Sequence, residues 1–274
     1  PSTTPAPVER SFVIPVLDMS PASPYNIMTL LEDLRTIPGD VIVVCNSPEM
    51  AAKLQGHPRI DYMASMSHNV GVARAWNIGL AMSQSPVTFI LNADLHVSGE
   101  VFANLERALN ELPDAAVVGP QGSFFDFATA QDIQYFQRGS FSAPIHVDAV
   151  SGFLFGVRTS VFGPGGMQFE NMFTPCYFEE WDLGLQCRLM GVKCYIVPTA
   201  GYEHEWSGSI RALRTIKYFR SEESSREILD RNRVLFLEKW KRIARSAGEA
   251  GFLDSLWTDY RAAHEAAAAS PVER

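Results

Sequence analysis

The chain has 274 residues, 46% of them hydrophobic, enough apolar material for one large α/β domain with an appendage, which excludes disorder as its default state. A formal net charge of −8 and a pI near 5.3 exclude the broad basic face of a nucleic-acid binder, so any anionic ligand must be met by local groups. No apolar run is long enough to cross a bilayer and no signal-peptide pattern opens the chain; the expectation is a cytoplasmic protein, free or peripheral at the inner face of the membrane.

In chain order, residues 11–17 read as a strand, 25–35 as an amphipathic helix and 41–45 as a second strand, with Pro38-Gly39 as punctuation. Residues 59–63 can form a third short strand, 70–83 a helix and 87–91 the central strand, followed by a helix over about 100–112 and a strand at 115–119. This alternation predicts an α/β fold, a mostly parallel central sheet flanked by helices in a Rossmann-like manner. The run Val87-Thr88-Phe89-Ile90-Leu91 is continuously apolar, as in a strand covered on both faces. Asp94 follows its carboxyl end, the edge at which open α/β sheets bind ligands, and a carboxylate held there suits a divalent cation and the phosphates it neutralises. Asn92-Ala93-Asp94 is equally a turn sequence.

Residues 121–146 are aromatic and polar without a period, readable as a substrate-covering loop or as a packed excursion over the core. A strand at 152–157 leads to Gly163-Pro164-Gly165-Gly166 and a segment reaching Pro175, which is either a lid anchored by Phe169 and Phe173 or a packed loop. Trp181, Leu185, Arg188 and Leu189 lie at helical spacing, with Gly191 as the stop, so Glu179 and Glu180 fall at a helix N-terminus, where the macrodipole favours ionised carboxylates. A strand at 192–197 follows, then two or three helices between 210 and 257 whose stripe of Ile228, Leu229, Leu235, Phe236 and Trp240 reads as core packing. Cys45, Cys176, Cys187 and Cys194 form no CxxC pair and read as buried free thiols, which argues against a disulfide framework or a zinc site.

Seven segments stand in order along the chain: the opening strand Ser11-Phe12-Val13-Ile14-Pro15-Val16, the second strand ending Cys45-Asn46-Ser47, Asn69-Val70-Gly71-Val72-Ala73-Arg74-Ala75-Trp76-Asn77-Ile78-Gly79, Leu91-Asn92-Ala93-Asp94, Val150-Ser151-Gly152, Phe178-Glu179-Glu180-Trp181-Asp182-Leu183 and Tyr202-Glu203-His204. Over residues 11–209 these ordered motifs resemble those of the family-2 glycosyltransferases of GT-A fold, and in particular a bacterial rhamnosyltransferase-like branch that builds surface polysaccharides. Arg231-Asn232-Arg233 resembles a triplet that follows the catalytic domain in that branch.

The resemblance implies a catalytic domain at 11–209; the helical pattern beyond it reads as a C-terminal extension at 210–264, and the low-complexity ends at 1–10 and 265–274 read as linker or tail, as in a domain excised from a larger multidomain polypeptide. The resemblance also implies a metal-dependent inverting transfer of a sugar from a nucleotide-diphosphate donor to a hydroxyl of a glycan or glycoconjugate. Mn2+ or Mg2+ would be held by Asp94 and His204. Pro15, Asp18, Asn46, Asn69, Gly71, Arg74, Asn77, Asn92 and Asp94 would meet the donor, and Ser151, Gly152 and Trp181 the acceptor. Glu180 would be the general base, with Glu179 and Asp182 beside it in the same motif. Cys45 stands where the family has an Asp that holds the base or ribose, leaving that contact to Asn46 or Asp18, and Glu180 replaces the usual Asp base. The alternatives are a retaining transferase, a sugar-phosphate nucleotidyltransferase, which lacks here its Gly-rich basic loop after the first strand, and a catalytically degenerate carbohydrate-binding domain.

Overall fold

The computed structural model describes residues 9–21, 23–204 and 215–247. Strands β1 (Arg10–Val16), β2 (Asp40–Cys45), β3 (Tyr62–Ser65) and β4 (Val87–Leu91) alternate with helices α1 (Ile27–Asp33), α2 (Pro48–Leu54) and α3 (Val72–Met82), and the four strands lie parallel in the order β3-β2-β1-β4. Next come β5 (Leu95–Val97), α4 (Gly99–Glu111), β6 (Ala115–Gly119), a hairpin of β7 (Gly122–Asp126) and β8 (Gln131–Phe136), and β9 (Ile145–Val147), β10 (Ala149–Val150) and β11 (Leu154–Arg158). Helix α5 (Glu179–Leu189), β12 (Lys193–Ile196) and β13 (Tyr202–His204) follow, and a hairpin of β14 (Ile216–Tyr218) and β15 (Ser221–Glu223) precedes α6 (Ser225–Ala247). The main sheet continues from β4 through β11, β6, β12 and β9, so that four of its seven pairings are parallel. The sheet is mixed because β11 runs antiparallel between β4 and β6.

Strand periodicity sorts the core into two layers. Phe12, Ile14 and Val16 of β1, with Val41, Val43 and Cys45 of β2, pack against α1, α2 and α4 through Leu30, Leu31, Leu54, Phe102 and Leu105. Val13 and Ile42 face the other way, onto Ala73, Trp76 and Leu80 of α3. Gly79 makes that approach possible, since a β-carbon there would sit 2.8 Å from one Val13 methyl and closer to the other. A third cluster joins Phe125, Phe173, Phe178 and Leu185 to Phe236 and Trp240 of α6, so the C-terminal helix shares the core of the sheet domain.

Four element readings change. Helix α2 was not anticipated; it is only seven residues long and is set by Ser47, whose hydroxyl accepts from the Met50 N–H at 3.2 Å, with Pro48 in its first turn. The third strand lies at Tyr62–Ser65 and not at 59–63, because Arg59 is spent on the carbonyls of Leu34, Ile37 and Gly39. The aperiodic stretch 121–146 is largely the β7–β8 hairpin, its register shifting between Phe124 and Phe125, an irregularity that erases the simple alternation. In the described C-terminal part a hairpin and one long helix stand where two or three helices were expected, and the remainder of the expected extension lies outside the described residues. The stripe of α6 is core at Ile228, Phe236 and Trp240 as anticipated, with Ile228 and Phe236 fully buried, while Leu229 is half-buried and lines a cavity.

Candidate active site

Backbone register brings the first pair of functional groups together. Asn92 leaves β4 with its N–H on the Phe153 carbonyl at 2.8 Å, the chain turns through Asp94, and β5 pairs antiparallel with β13 so that Leu95 faces His204. His204 Nε2 consequently lies 3.5 Å from Asp94 Oδ1, both side chains less than a tenth exposed, and the Phe153 ring stacks on the imidazole at 4.6 Å. One carboxylate oxygen and one imidazole nitrogen at the edge of a cavity fit a divalent cation whose other ligands come from phosphate and water. No cluster of three or more protein ligands occurs among the described residues.

The second group is built at the start of α5. Tyr177 and Phe178, with φ of +77° and +76°, turn the chain through the left-handed region, a conformation costing bulky residues on the order of 1–3 kcal/mol each. The α6 helix holds this turn. Fully buried Asn232 donates to the carbonyls of Phe173 (2.5 Å), Cys176 (2.7 Å) and Tyr177 (3.4 Å), and Arg231 donates to Thr174. Glu179 and Glu180 emerge from the turn. Glu180 rests against Gly152, where a β-carbon would lie 2.8 Å from its carboxyl carbon and nearer still to Oε1. Burial raises its pKa, opposed by backbone hydrogen bonds that include one from Gly152. Glu179 is 2% exposed with one carboxyl oxygen unpartnered, and burial followed by the charge of Glu180 pushes its pKa well above the carboxylate range.

These groups open onto one cavity of about 680 Å3. Of the residues singled out in the sequence, Pro15, Asp18, Asn46, Asn69, Asn92 and Asp94 line one part of it, and Ser151, Gly152, Glu179, Glu180, Trp181 and His204 the rest. Cys45, whose thiol burial pushes up to about 11, belongs by alternation to the core face of β2 and does not reach the cavity. Its neighbour Asn46 does, with Oδ1 buried and unpartnered.

Four expected site residues lie elsewhere. Asp182 is fully buried beneath α5, accepting from Lys239 Nζ (2.7 Å), Trp240 Nε1 (2.8 Å) and Gln186 Nε2 (2.7 Å), and so anchors α6 and not a substrate. Arg74 is committed to the Val70 carbonyl, the Thr174 hydroxyl and the Phe219 ring. Asn77 exchanges two hydrogen bonds with the Phe169 backbone, at 2.7 and 3.0 Å, pinning the 163–175 segment. Phe169 and Phe173 are both fully buried, which favours the packed-loop reading of that segment over the lid. Gly71 turns at φ +87° against Pro175, where a side chain would crowd, and serves the turn and not the cavity.

Sequence reading missed the wall supplied by the hairpin and by α6: Ser123, Asp132 and Tyr135 on one side, Ile216, Leu229 and Arg233 on the other. Tyr135 donates to Gln121 Oε1 at 2.9 Å and lies 2.7 Å from the Ser151 hydroxyl, which ties the hairpin to the Ser151-Gly152 strand. The aromatic density of 121–146 was the signal available for that wall, and the Arg231-Asn232-Arg233 triplet was the signal for α6.

The Glycosyl transferase family 2 model matches residues 41–163. That segment carries the second strand through Asp94 to the strand beside Gly152, and it supports a glycosyltransferase. No curated protein matches the chain. Among solved structures it is similar to GalNAc-T7, crystallised with UDP, GalNAc and Mn2+, at a TM-score of 0.54 and 12% identity over 71% of this chain. It is also similar to TarS 1-349 of S. aureus, free and in complex with UDP, at 0.50 and 12% over 71%. The chain spans 43% of the first protein and 59% of the second, and at these identities the likeness establishes the GT-A glycosyltransferase fold.

Proposed function

We propose that the chain transfers a sugar from a nucleotide-diphosphate sugar to a hydroxyl of a glycan or glycoconjugate, with inversion at the anomeric carbon. The observation that carries this reading is a single cavity lined both by the Asp94–His204 pair and by the Glu180 carboxylate, of a size suited to a nucleotide sugar. The crystal structures of similar proteins with UDP, one of them also with Mn2+, support a nucleotide donor and a cation at Asp94 and His204. Mn2+ or Mg2+ bound there would offset the negative charge that develops on the departing diphosphate.

The chain's own groups divide the remaining work. Asn46 Oδ1, an acceptor without a partner, and Asp18 take the base or ribose contact that Cys45 cannot make. Glu180 accepts the proton of the acceptor hydroxyl as its oxygen bonds to the anomeric carbon and the bond from that carbon to the diphosphate oxygen breaks on the opposite face. A carboxylate pKa lifted by burial makes Glu180 a stronger base than an exposed glutamate. Glu179, the more deeply buried of the two, has its pKa pushed well above the carboxylate range by burial and by the charge of Glu180, which leaves Glu180 the better placed of the pair to ionise. Trp181 and Ser151 present the acceptor surface. The polysaccharide-building branch and a cytoplasmic or membrane-peripheral location are part of the same proposal, motivated by the Arg231-Asn232-Arg233 triplet and by the absence, among the described residues, of a helix long and apolar enough to cross a membrane.

Incubation with UDP-, GDP- and dTDP-sugars and Mn2+ tests the reading, and failure to turn over any donor would reject it. Glu180→Gln is expected to keep donor binding while lowering transfer by about two to four orders of magnitude. Anomeric configuration of the product, read by NMR, separates inversion from retention.

A further inference from the structure

Resting on the nucleotide-sugar reading, we propose that Arg233 is the cation that grips the donor's diphosphate, so that the C-terminal helix contributes a binding group to the site. Charge balance motivates the assignment. The cavity is lined by Asp18, Asp94, Asp132, Glu179 and Glu180, and among the described residues Arg233 is the only Arg or Lys on its lining. Once the sugar leaves, the nucleoside diphosphate carries more negative charge than one divalent cation cancels, and a wall of carboxylates adds repulsion that must be offset nearby. Arg74, the cation the sequence suggested, is turned away onto Thr174 and Phe219.

Arg233 is also chemically available. Its Nε is buried and without a hydrogen-bond partner. Among the described residues its one ion-pair contact is a long 3.6 Å approach to Asp230, whose side chain is 58% exposed and therefore neutralises little. The planar guanidinium fork matches phosphate oxygens two at a time, which an ammonium does not.

Its backbone is held in place before any ligand arrives. Asn232, the preceding residue, is locked to three carbonyls of the turn before α5, and Leu229, one turn back, faces the same cavity. That turn reaches the start of α3 through the Val72 N–H on the Pro175 carbonyl at 2.8 Å. Arg233 thus stands on the wall that joins the Asn69–Val72 segment to the Glu179–Glu180 pair, and a side chain on a pinned helix loses less freedom on binding than one on a loop.

The test is calorimetric titration of the full chain with UDP, GDP and dTDP in the presence of Mn2+, followed by the monophosphate of whichever nucleotide binds. Arg233→Gln is expected to weaken the diphosphate by about 10- to 100-fold, the loss of a charge-assisted contact, with little change for the monophosphate. Arg233→Lys is expected to fall between, since it keeps the charge without the fork. Equal diphosphate affinity in the folded Gln variant overturns the proposal, as does a loss shared equally by mono- and diphosphate, which would mark a contact nearer the base. Should Arg233→Gln not fold, the same comparison on Arg233→Lys decides: a loss confined to the diphosphate supports the proposal, and no loss or a shared one overturns it. A wild-type chain that binds none of the three diphosphates removes the donor reading and this inference with it. A wild type that binds one of them, beside a variant that binds it equally, removes only the role of Arg233.

Discussion

Replacing Gly152 by alanine displaces the proposed base without altering its chemistry. A β-carbon at Gly152 would lie 2.8 Å from the carboxyl carbon of Glu180 and 3.0 Å from its Cγ, where ordinary contact begins at 3.4 Å. The three nearest atoms all belong to that one side chain, and Gly152 is not among the glycines with positive φ, so alanine strains no backbone there. The carboxyl carbon must retreat by at least about 0.6 Å and its oxygen by about 1.3 Å, and a displacement on the order of 1 Å typically costs on the order of 100-fold in rate. That is about 2.7 kcal/mol of activation free energy. Transfer kinetics should therefore show kcat falling about 100-fold while donor Kd and Tm stay near wild type. A kcat within about threefold of wild type would mean that the carboxylate's position against the strand has no bearing on the reaction. Gly184→Ala supplies the contrast. A β-carbon there meets the backbone carbonyl of Asp148, with the carbonyl carbon at 2.9 Å, so the cost should appear in Tm and not selectively in kcat.

Asp94→Ala is expected to abolish Mn2+-dependent nucleotide binding while leaving a folded chain, and unchanged metal-linked affinity by titration would reject Asp94 as a ligand. Glu179 carries a sign in pH: its native pKa is raised by burial and by the charge of Glu180, so the stability it confers is full below about pH 4.3 and is lost as pH rises through the native value. Glu179→Gln, which cannot ionise, should then melt higher than wild type at neutral and alkaline pH, with the gap closing on acidification; a gap independent of pH would contradict the assignment. Asn232→Ala leaves carbonyls before α5 unpaired and should cost about 1–3 kcal/mol of stability. It should also lower kcat more than it raises the KM for the donor, because the turn it releases carries Glu179 and Glu180; an equal change in both parameters would leave Asn232 a packing residue only.

The parts of the site legible in the sequence are those fixed by strand ends. Asp94 follows an unbroken apolar, β-branched and aromatic run of strand length, the pattern of a covered strand, whose far end lies at the ligand-binding edge of such a sheet. The start of α5 was legible for a similar local reason, since Trp181, Leu185 and Leu189 keep helical spacing up to Gly191. Period alone could not say which acidic residue of Glu179-Glu180-Trp181-Asp182 would face the ligand. On a helix Asp182 lies about 200° from Glu180, and it was turned beneath α5 by partners far along the chain, Lys239 and Trp240. Arg74 and Asn77 misled for the same reason. Both sit in a segment whose pattern resembles a donor-binding one, yet their hydrogen bonds run to Thr174 and Phe169, residues about a hundred positions away that no local rule could bring near.

The distribution of hydrogen bonds around the Pro175–Phe178 turn gives the C-terminal helix a role that its sequence pattern understates. An apolar stripe at 3.6-residue spacing accounts for Ile228, Phe236 and Trp240 as packing, and packing would be satisfied by any apolar set. Polar residues interrupt the helix where packing does not require them: Arg231 and Asn232 on the carbonyls before α5, Lys239 on Asp182 and Glu170. Burying such groups costs free energy unless each finds a partner, and here each partner lies on or beside the segment that presents Glu179 and Glu180. Two left-handed aromatic residues in succession persist only when their surroundings over-determine them, and Asn232 bonds to the carbonyls of both Cys176 and Tyr177. The proposed base is therefore held from two sides, by Gly152 beneath its carboxylate and by α6 behind its backbone, and the second support comes from outside the segment that matches the family model.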